Sequence, residues 1–268
     1  PREGSNRFSV IGNALFTNHR LESDNLNDEL RDRGFTNVNK TYRMWDEGAT
    51  VSGPILQDKL WFLAAPRSWG FSRQIAGAYW NKTQDVFLTP PGAERKVVLW
   101  TPWVDRPLQE DSGRYEWYHS ALVRTTWQAS QRNKFNVLFD YQRACNCYGA
   151  NPGTAQEAQS DYKFQPNRLV QATSSSPRTN RLLLEAGSAF SISQWNAYWH
   201  PGVTPDIIRV SDVGRGINYG SQTSYRGWPN HTDRYSQRFS ATYVTGSHSF
   251  KAGMQNEVLV TNAQYITN

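Results

Sequence analysis

The sequence predicts an all-β chain, an antiparallel up-and-down meander of about nine strands that reads as a stretch of membrane-barrel wall. Three observations predict it. Apolar and polar residues alternate with period two in segment after segment, as strands with one apolar and one polar face require. The links between segments alternate between tight and long, which soluble sandwiches seldom do and outer-membrane barrels do as a rule. The 268 residues include 11 Trp, 13 Tyr and 12 Phe, too much aromatic surface for a disordered chain and the composition of a sheet.

Taken in order, residues 6–18 alternate, although Ile11 and Leu15 fall on the polar side. Residues 41–51 and 60–70 are weaker candidates. Residues 120–128 set Ala121, Val123, Thr125 and Trp127 against Ser120, Leu122, Arg124, Thr126 and Gln128. The clearest strand is 134–142, with Phe135, Val137, Phe139 and Tyr141 opposite Asn136, Leu138, Asp140 and Gln142. Residues 167–175 are weak, and 181–192 alternate with Leu183 misplaced. Residues 234–243 place Tyr235, Gln237, Phe239, Ala241 and Tyr243 against Arg234, Ser236, Arg238, Ser240 and Thr242. In 249–256, Phe250, Ala252 and Met254 oppose Lys251, Gly253 and Gln255. Tight links are expected at 52–59, 129–133, 176–180 and 244–248, and long polar ones at 19–40, 71–113, 144–166 and 193–232. No segment has the period of an amphipathic helix.

Several classes are excluded. The longest apolar run, 60–65, is far below the ~18–20 residues of a spanning helix. Lys plus Arg exceed Asp plus Glu by 29 to 23, but the surplus is diffuse and forms no stripe for nucleic acid. The chain opens on Pro1 without a signal segment, so a processed product or a part of something longer is expected. The five histidines, His19, His119, His200, His231 and His248, lack metal-ligand spacing. There is no nucleophile elbow, and Gly214-Arg215-Gly216 misses the dinucleotide fingerprint. The expectation is no enzyme, no metal and no cofactor.

A bilayer accounts for the pattern. A spanning strand needs ~9–11 residues, apolar outside and polar inside, in a closed sheet that leaves no backbone group unpaired in lipid. Arg124, Asp140, Glu185, Arg234, Arg238 and Lys251 would then line a wet lumen, since a dry core would not accept them unpaired. Phe8 and Phe16, like Tyr235 and Tyr243, lie eight residues apart on one face, a spacing of roughly 20 Å along the membrane normal that fits two aromatic girdles.

The tight links carry a resemblance. Ser52-Gly53-Pro54-Ile55-Leu56-Gln57-Asp58-Lys59-Leu60-Trp61-Phe62 resembles the GGPI-x-x-DKLWFF segment of TonB-dependent receptors, nearest the Oar-like group with a carboxypeptidase-regulatory-like domain. The turns around Trp127-Gln128-Ala129-Ser130, Ser176-Pro177-Arg178-Thr179-Asn180 and Val244-Thr245-Gly246-Ser247-His248 are similar to later turns of that barrel, in family order. Glu3-Gly4-Ser5-Asn6-Arg7-Phe8 is similar to the entry into its first strand. In the first turn Gly53 is expected to take a positive φ and Pro54 to fix its own. Ser52 departs from the family's first glycine, and Pro66 inside the third strand predicts a bulge.

The resemblance implies a barrel of about 22 strands around a plug, of which this chain supplies the first part without plug or TonB box, ending in an extracellular region near 259–268. It implies an outer-membrane location, contact with lipid and lipopolysaccharide, work relayed by the TonB complex, and uptake of a large scarce nutrient such as a glycan, peptide or metal chelate. Adhesion or export is a variant within the Oar-like group.

The aromatic residues of the long links, Tyr79, Trp80, Trp100, Trp103, Trp195, Tyr198, Trp199 and Trp228, are candidates for stacking on an extracellular ligand, or they simply pack loops together. Arg215 and Arg226 could meet lipopolysaccharide phosphates. Cys145 and Cys147 are expected to form a disulfide outside the cytosol, metal capture by two thiolates being the weaker option. Glu110, Asp111, Glu157 and Asp161 read as solvated loop carboxylates. The rival reading is a secreted, Trp-rich all-β carbohydrate-binding or adhesion protein, whose apolar faces would meet in a common core.

Overall fold

The structure, a computed structural model, describes residues 5–23, 25–35, 38–107, 113–149, 151–222, 224–225 and 230–267. Its main feature is a nine-stranded antiparallel sheet in strict chain order. The strands are β1 (Ser9–Thr17), β2 (Lys40–Leu56), β3 (Leu60–Gln74), β4 (Arg114–Ser130), β5 (Asn133–Gly149), β6 (Asp161–Pro177), β7 (Leu182–Tyr198), β8 (His231–Thr245) and β9 (His248–Asn262). The sheet does not close, and β1 and β9 are its edges.

Register sorts the alternation into two faces. One ladder row runs unbroken through Val10, Val51, Ala64, Val123, Phe139, Val170, Phe190, Tyr235 and Val258. A neighbouring row of opposite parity runs through Ser52, Leu63, Arg124, Leu138, Gln171, Ala189, Ser236 and Glu257. Because a one-residue slip would exchange the faces, agreement over nine strands means that every turn keeps count. The apolar face is open: Val123, Val137 and Phe139 remain 42–46% exposed. Aromatic rings on it meet near the tight turns and again in the middle of the face. Near the tight turns the Phe8 and Phe62 rings lie 6.3 Å apart and those of Trp127 and Phe135 5.7 Å. Within the row itself Phe190 meets Tyr235 edge-on at 5.7 Å.

The strands run well past the expected bounds. β2, β4, β5, β6 and β7 have 17 residues each, so about 58 Å of extended chain. Much of the sequence expected as long links therefore continues the sheet, and β9 reaches Asn262 inside the expected terminal region. The tight links shrink to 57–59, 131–132, 178–181 and 246–247. A five-residue helix, Asp28–Asp32, is capped by Asn27, whose side chain accepts from the Leu30 amide; no periodicity over so short a stretch announced it.

Two local expectations are corrected. Gly53 and Pro54 do not turn the chain; they pair with Phe62 and Trp61 inside the β2–β3 ladder. The reversal lies at Asp58, with φ 59°, held by the Asn6 side chain, which accepts from the Asp58 amide at 3.0 Å and from Trp61 Nε1 at 2.8 Å. Gly53 is needed because the Phe8 ring occupies the space of a Cβ, 2.4 Å away. Pro66 makes no bulge either. It stays in register opposite Ala121, while on the β2 side the ladder runs from Gly48↔Arg67 to Val51↔Ala64 with two pairs missing and no slip. The absent proline N–H thus weakens one flank without moving the strand.

Gly70 makes a test of the register. A Cβ there would lie 2.4 Å from the Glu116 carbonyl oxygen and 2.6 Å from the Trp45 ring. Gly70→Ala is expected to destabilise the sheet by about 1–3 kcal/mol, read as a lowered denaturant midpoint in detergent micelles.

Candidate functional site: the polar face and the loop cap

The six predicted lining residues share the polar face. Their neighbours across the ladders belong to the same side: Arg124 faces Leu63 and Leu138, Asp140 faces Leu122 and Leu169, and Arg238 faces Gly187 and Gln255. Here the charges are tied together. Lys251 Nζ reaches Glu185 Oε2 across β8 at 3.1 Å, and Ser240 Oγ donates to the same oxygen at 3.3 Å. Arg234 Nε pairs with Glu257 at 3.0 Å. Asp140 accepts from Ser120 Oγ at 2.8 Å and from Gln142. Asn136 joins three strands, accepting from Thr126 Oγ1 at 2.9 Å and Arg124 at 3.3 Å and donating to Thr173 at 3.3 Å. An open hollow of about 520 Å³ extends from β5 to β9, bordered by Asn136, Thr173, Glu185, Arg238 and Lys251. Sequence reasoning missed Asp46 and Arg67, whose two-point pair (2.6 and 2.9 Å) sits on the same face beside the Trp69–Tyr118 ring stack. Both lie in the weakly alternating segments, so no pattern marked them.

The long links do more than project. Segments from 75–107, 151–160 and 199–222 interlock as a cap with buried Val98, Ala155, Ala158, Val203, Ile207 and Ile217. Lys96 binds the 199–222 segment through its amide to the Asp206 carbonyl (2.8 Å), its carbonyl from the Ile208 amide (3.0 Å), and its ammonium to the Asp206 carboxylate (3.1 Å). The Ala155 amide donates to Asn218 O at 2.8 Å, and the Asn218 amide returns to Gly153 O at 2.9 Å.

Glu157 sits at the junction and corrects the reading of a solvated carboxylate. It is 1% exposed. Its Oε1 accepts from Asn81 Nδ2 at 2.9 Å and from the Gly220 amide at 3.4 Å, one partner from each of the other two segments. Asn81 also donates to Leu99 O at 2.7 Å, and its Oδ1 accepts from the amides of Thr83 and Thr101. Burial raises the Glu157 carboxyl above the ordinary carboxylate range; the hydrogen bonds from Asn81 and Gly220 oppose that without cancelling it.

The candidate ligand aromatics are distributed. Trp80 meets the His200 ring at 6.1 Å, and Trp100 stacks on Tyr219 at 6.3 Å, so these two join the cap's segments to one another. Burial lowers the His200 pKa. Tyr79 and Trp103 belong to short paired strands, Tyr79–Asn81 and Pro102–Pro107, within the cap. Trp195 and Tyr198 are residues of β7 rather than of a loop, and Lys163 Nζ lies 4.9 Å over the Tyr198 ring. Trp199 follows β7 directly. Trp228, Arg226, Glu110 and Asp111 lie outside the described residues. Arg215 is surface-exposed, 3.8 Å from Asp212.

Cys145 and Cys147 are joined by a disulfide, inside β5 rather than at the opening of a loop. Among the described residues no group of three His, Cys, Asp or Glu side chains is placed to hold a metal ion. No family model, curated protein or solved structure matches the chain, so the functional reading rests on its own residues.

Proposed function

We propose that the chain is part of the wall of a TonB-dependent receptor in a bacterial outer membrane, with the apolar face toward lipid and the polar face toward a plugged lumen. In this reading Arg124, Asp140, Glu185, Arg234, Arg238 and Lys251 line the path of a large nutrient, the cap faces the exterior, and further strands close the sheet at β1 and β9. The role is transport, not catalysis.

One observation carries the proposal: nine strands in chain order hold a continuous apolar row on one open face and ion-paired polar rows on the other. Water tolerates the second face and not the first. A secreted sandwich would lay a second sheet over Val123 and Phe139; among the described residues that face remains open. Tight links at one strand end and a folded cap at the other fit an inner and an outer side.

The test is transfer of the purified chain between media. In plain buffer it is expected to aggregate. In dodecyl dimethylamine oxide micelles it should give a β-sheet circular dichroism spectrum, and with liposomes it should sediment and lose tryptophan emission to lipids brominated along the chain. A cooperative, monomeric fold in buffer alone would overturn the proposal.

A further inference from the structure

Three large rings stand on the wrong face for lipid. Phe164 on β6 pairs directly with Trp195 on β7, and Tyr162 lies two residues from Phe164, its ring 6.3 Å away and inclined by 28°. Parity puts all three with Ser191 and Arg234 on the polar face, beyond the apolar row and toward the cap. They border an open groove of about 440 Å³ with Ser193, Thr232 and Arg234. A membrane gives no reason for aromatic surface here, and the groove leaves it partly exposed instead of sealed in a core.

The chemistry of the border narrows the guest. Flat apolar plates favour a ligand with C–H faces. The Ser193 and Thr232 hydroxyls supply both donors and acceptors at the edge of those plates. Ser193 Oγ already donates to Asn167 Oδ1 at 3.2 Å, which leaves its oxygen to accept. Arg234 is neutralised by Glu257 at 3.0 Å, so the groove offers planar polar groups without excess charge. A charged chelate would find no counter-charge, and a lipid chain would leave the hydroxyls unmatched. We infer that this groove binds a neutral oligosaccharide, with pyranose rings stacked on Trp195 and Phe164 and ring hydroxyls bonded to Ser193, Thr232 and the Arg234–Glu257 pair. This deepens the proposed transport role by naming a substrate class and a subsite at the entrance to the polar face.

Isothermal titration of the whole chain in dodecyl dimethylamine oxide micelles, with maltohexaose and cellohexaose as probes, tests it. Saturable binding of at least one is expected, weakened tenfold or more by Trp195→Ala and kept within about threefold by Trp195→Phe, which retains a plate. Met254→Ala on the opposite face should leave binding unchanged. Absence of saturable binding of both sugars, or binding that Trp195→Ala does not alter in a variant with native circular dichroism, would overturn the inference. The membrane reading is scored separately by liposome sedimentation. A chain that inserts but binds neither sugar refutes only the saccharide assignment. A water-soluble chain that binds through Trp195 refutes only the membrane reading.

Discussion

Val123→Arg is expected to destabilise the micelle-bound chain by about 2–4 kcal/mol, the cost of an arginine at the lipid-facing midplane of a barrel. Val123 lies in the apolar row, between Ala64 and Phe139, four residues from Trp127 on its own strand. In the proposed membrane reading it stands in the middle of the lipid-facing side, where a guanidinium would have to bend along the strand to reach water. Its 45% exposure makes the substitution diagnostic. On the surface of a water-soluble sheet the same change would stay within about 0.5 kcal/mol. Gln171→Arg is the control. It is exposed, lies in the neighbouring polar row beside Leu138, and should shift stability by no more than about 0.5 kcal/mol. Denaturant unfolding of both variants in micelles, followed by tryptophan emission, gives the comparison. Equal midpoints for the two variants would remove the argument for a lipid-facing side.

The faces were legible in the sequence because a period-two signal needs only local order. Phe135, Val137, Phe139 and Tyr141 declare their side without knowledge of β4 or β6. The same logic located Arg124, Asp140 and Arg238, whose opposition to apolar neighbours is visible within one strand. Strand length was not legible: once a strand leaves the apolar band, alternation between an apolar and a polar face no longer marks it. The segment around Cys145 and the run to Tyr198 therefore read as loop although they continue the ladder. Turn chemistry misled at Gly53, where glycine answers the Phe8 ring from a different strand, a long-range demand that looks like a local turn signal. Glu157 was invisible as a junction for the same reason. Its partners, Asn81 and Gly220, stand 76 and 63 residues away, and nothing in the spacing of carboxylates reports such a meeting.

That junction supports the second large effect. Glu157→Ala would leave the Asn81 amide and the Gly220 N–H without their shared acceptor and open a void among three segments. Each orphaned buried donor costs about 1–3 kcal/mol, so the cap should open locally while the sheet stays folded. Hydrogen exchange at the amides of Ala155, Asn218 and Gly220 is expected to accelerate by one to two orders of magnitude, as an opening penalty of about 1.4–2.8 kcal/mol implies. Exchange at Val123 and Phe139 should not change. Glu157→Gln keeps the Oε1 acceptor and resembles the protonated acid, so it should preserve protection. The pH dependence follows from the raised carboxyl pKa. A group that holds its proton more tightly in the folded cap contributes full stability below its unfolded value near 4.5 and loses it as pH rises through the folded value. Among the described residues, Glu157 is hydrogen-bonded only by uncharged groups, Asn81 and the Gly220 amide. Arg209 approaches the neighbouring Ala158 carbonyl at 3.5 Å, and the Lys96–Asp206 pair is self-neutralising. Wild-type protection, corrected for intrinsic exchange, should therefore fall as pH rises, and the slope should vanish in Glu157→Gln. A cap whose protection is indifferent to pH, or equal in the Ala and Gln variants, would show that Glu157 is enclosed by the three segments without holding them together.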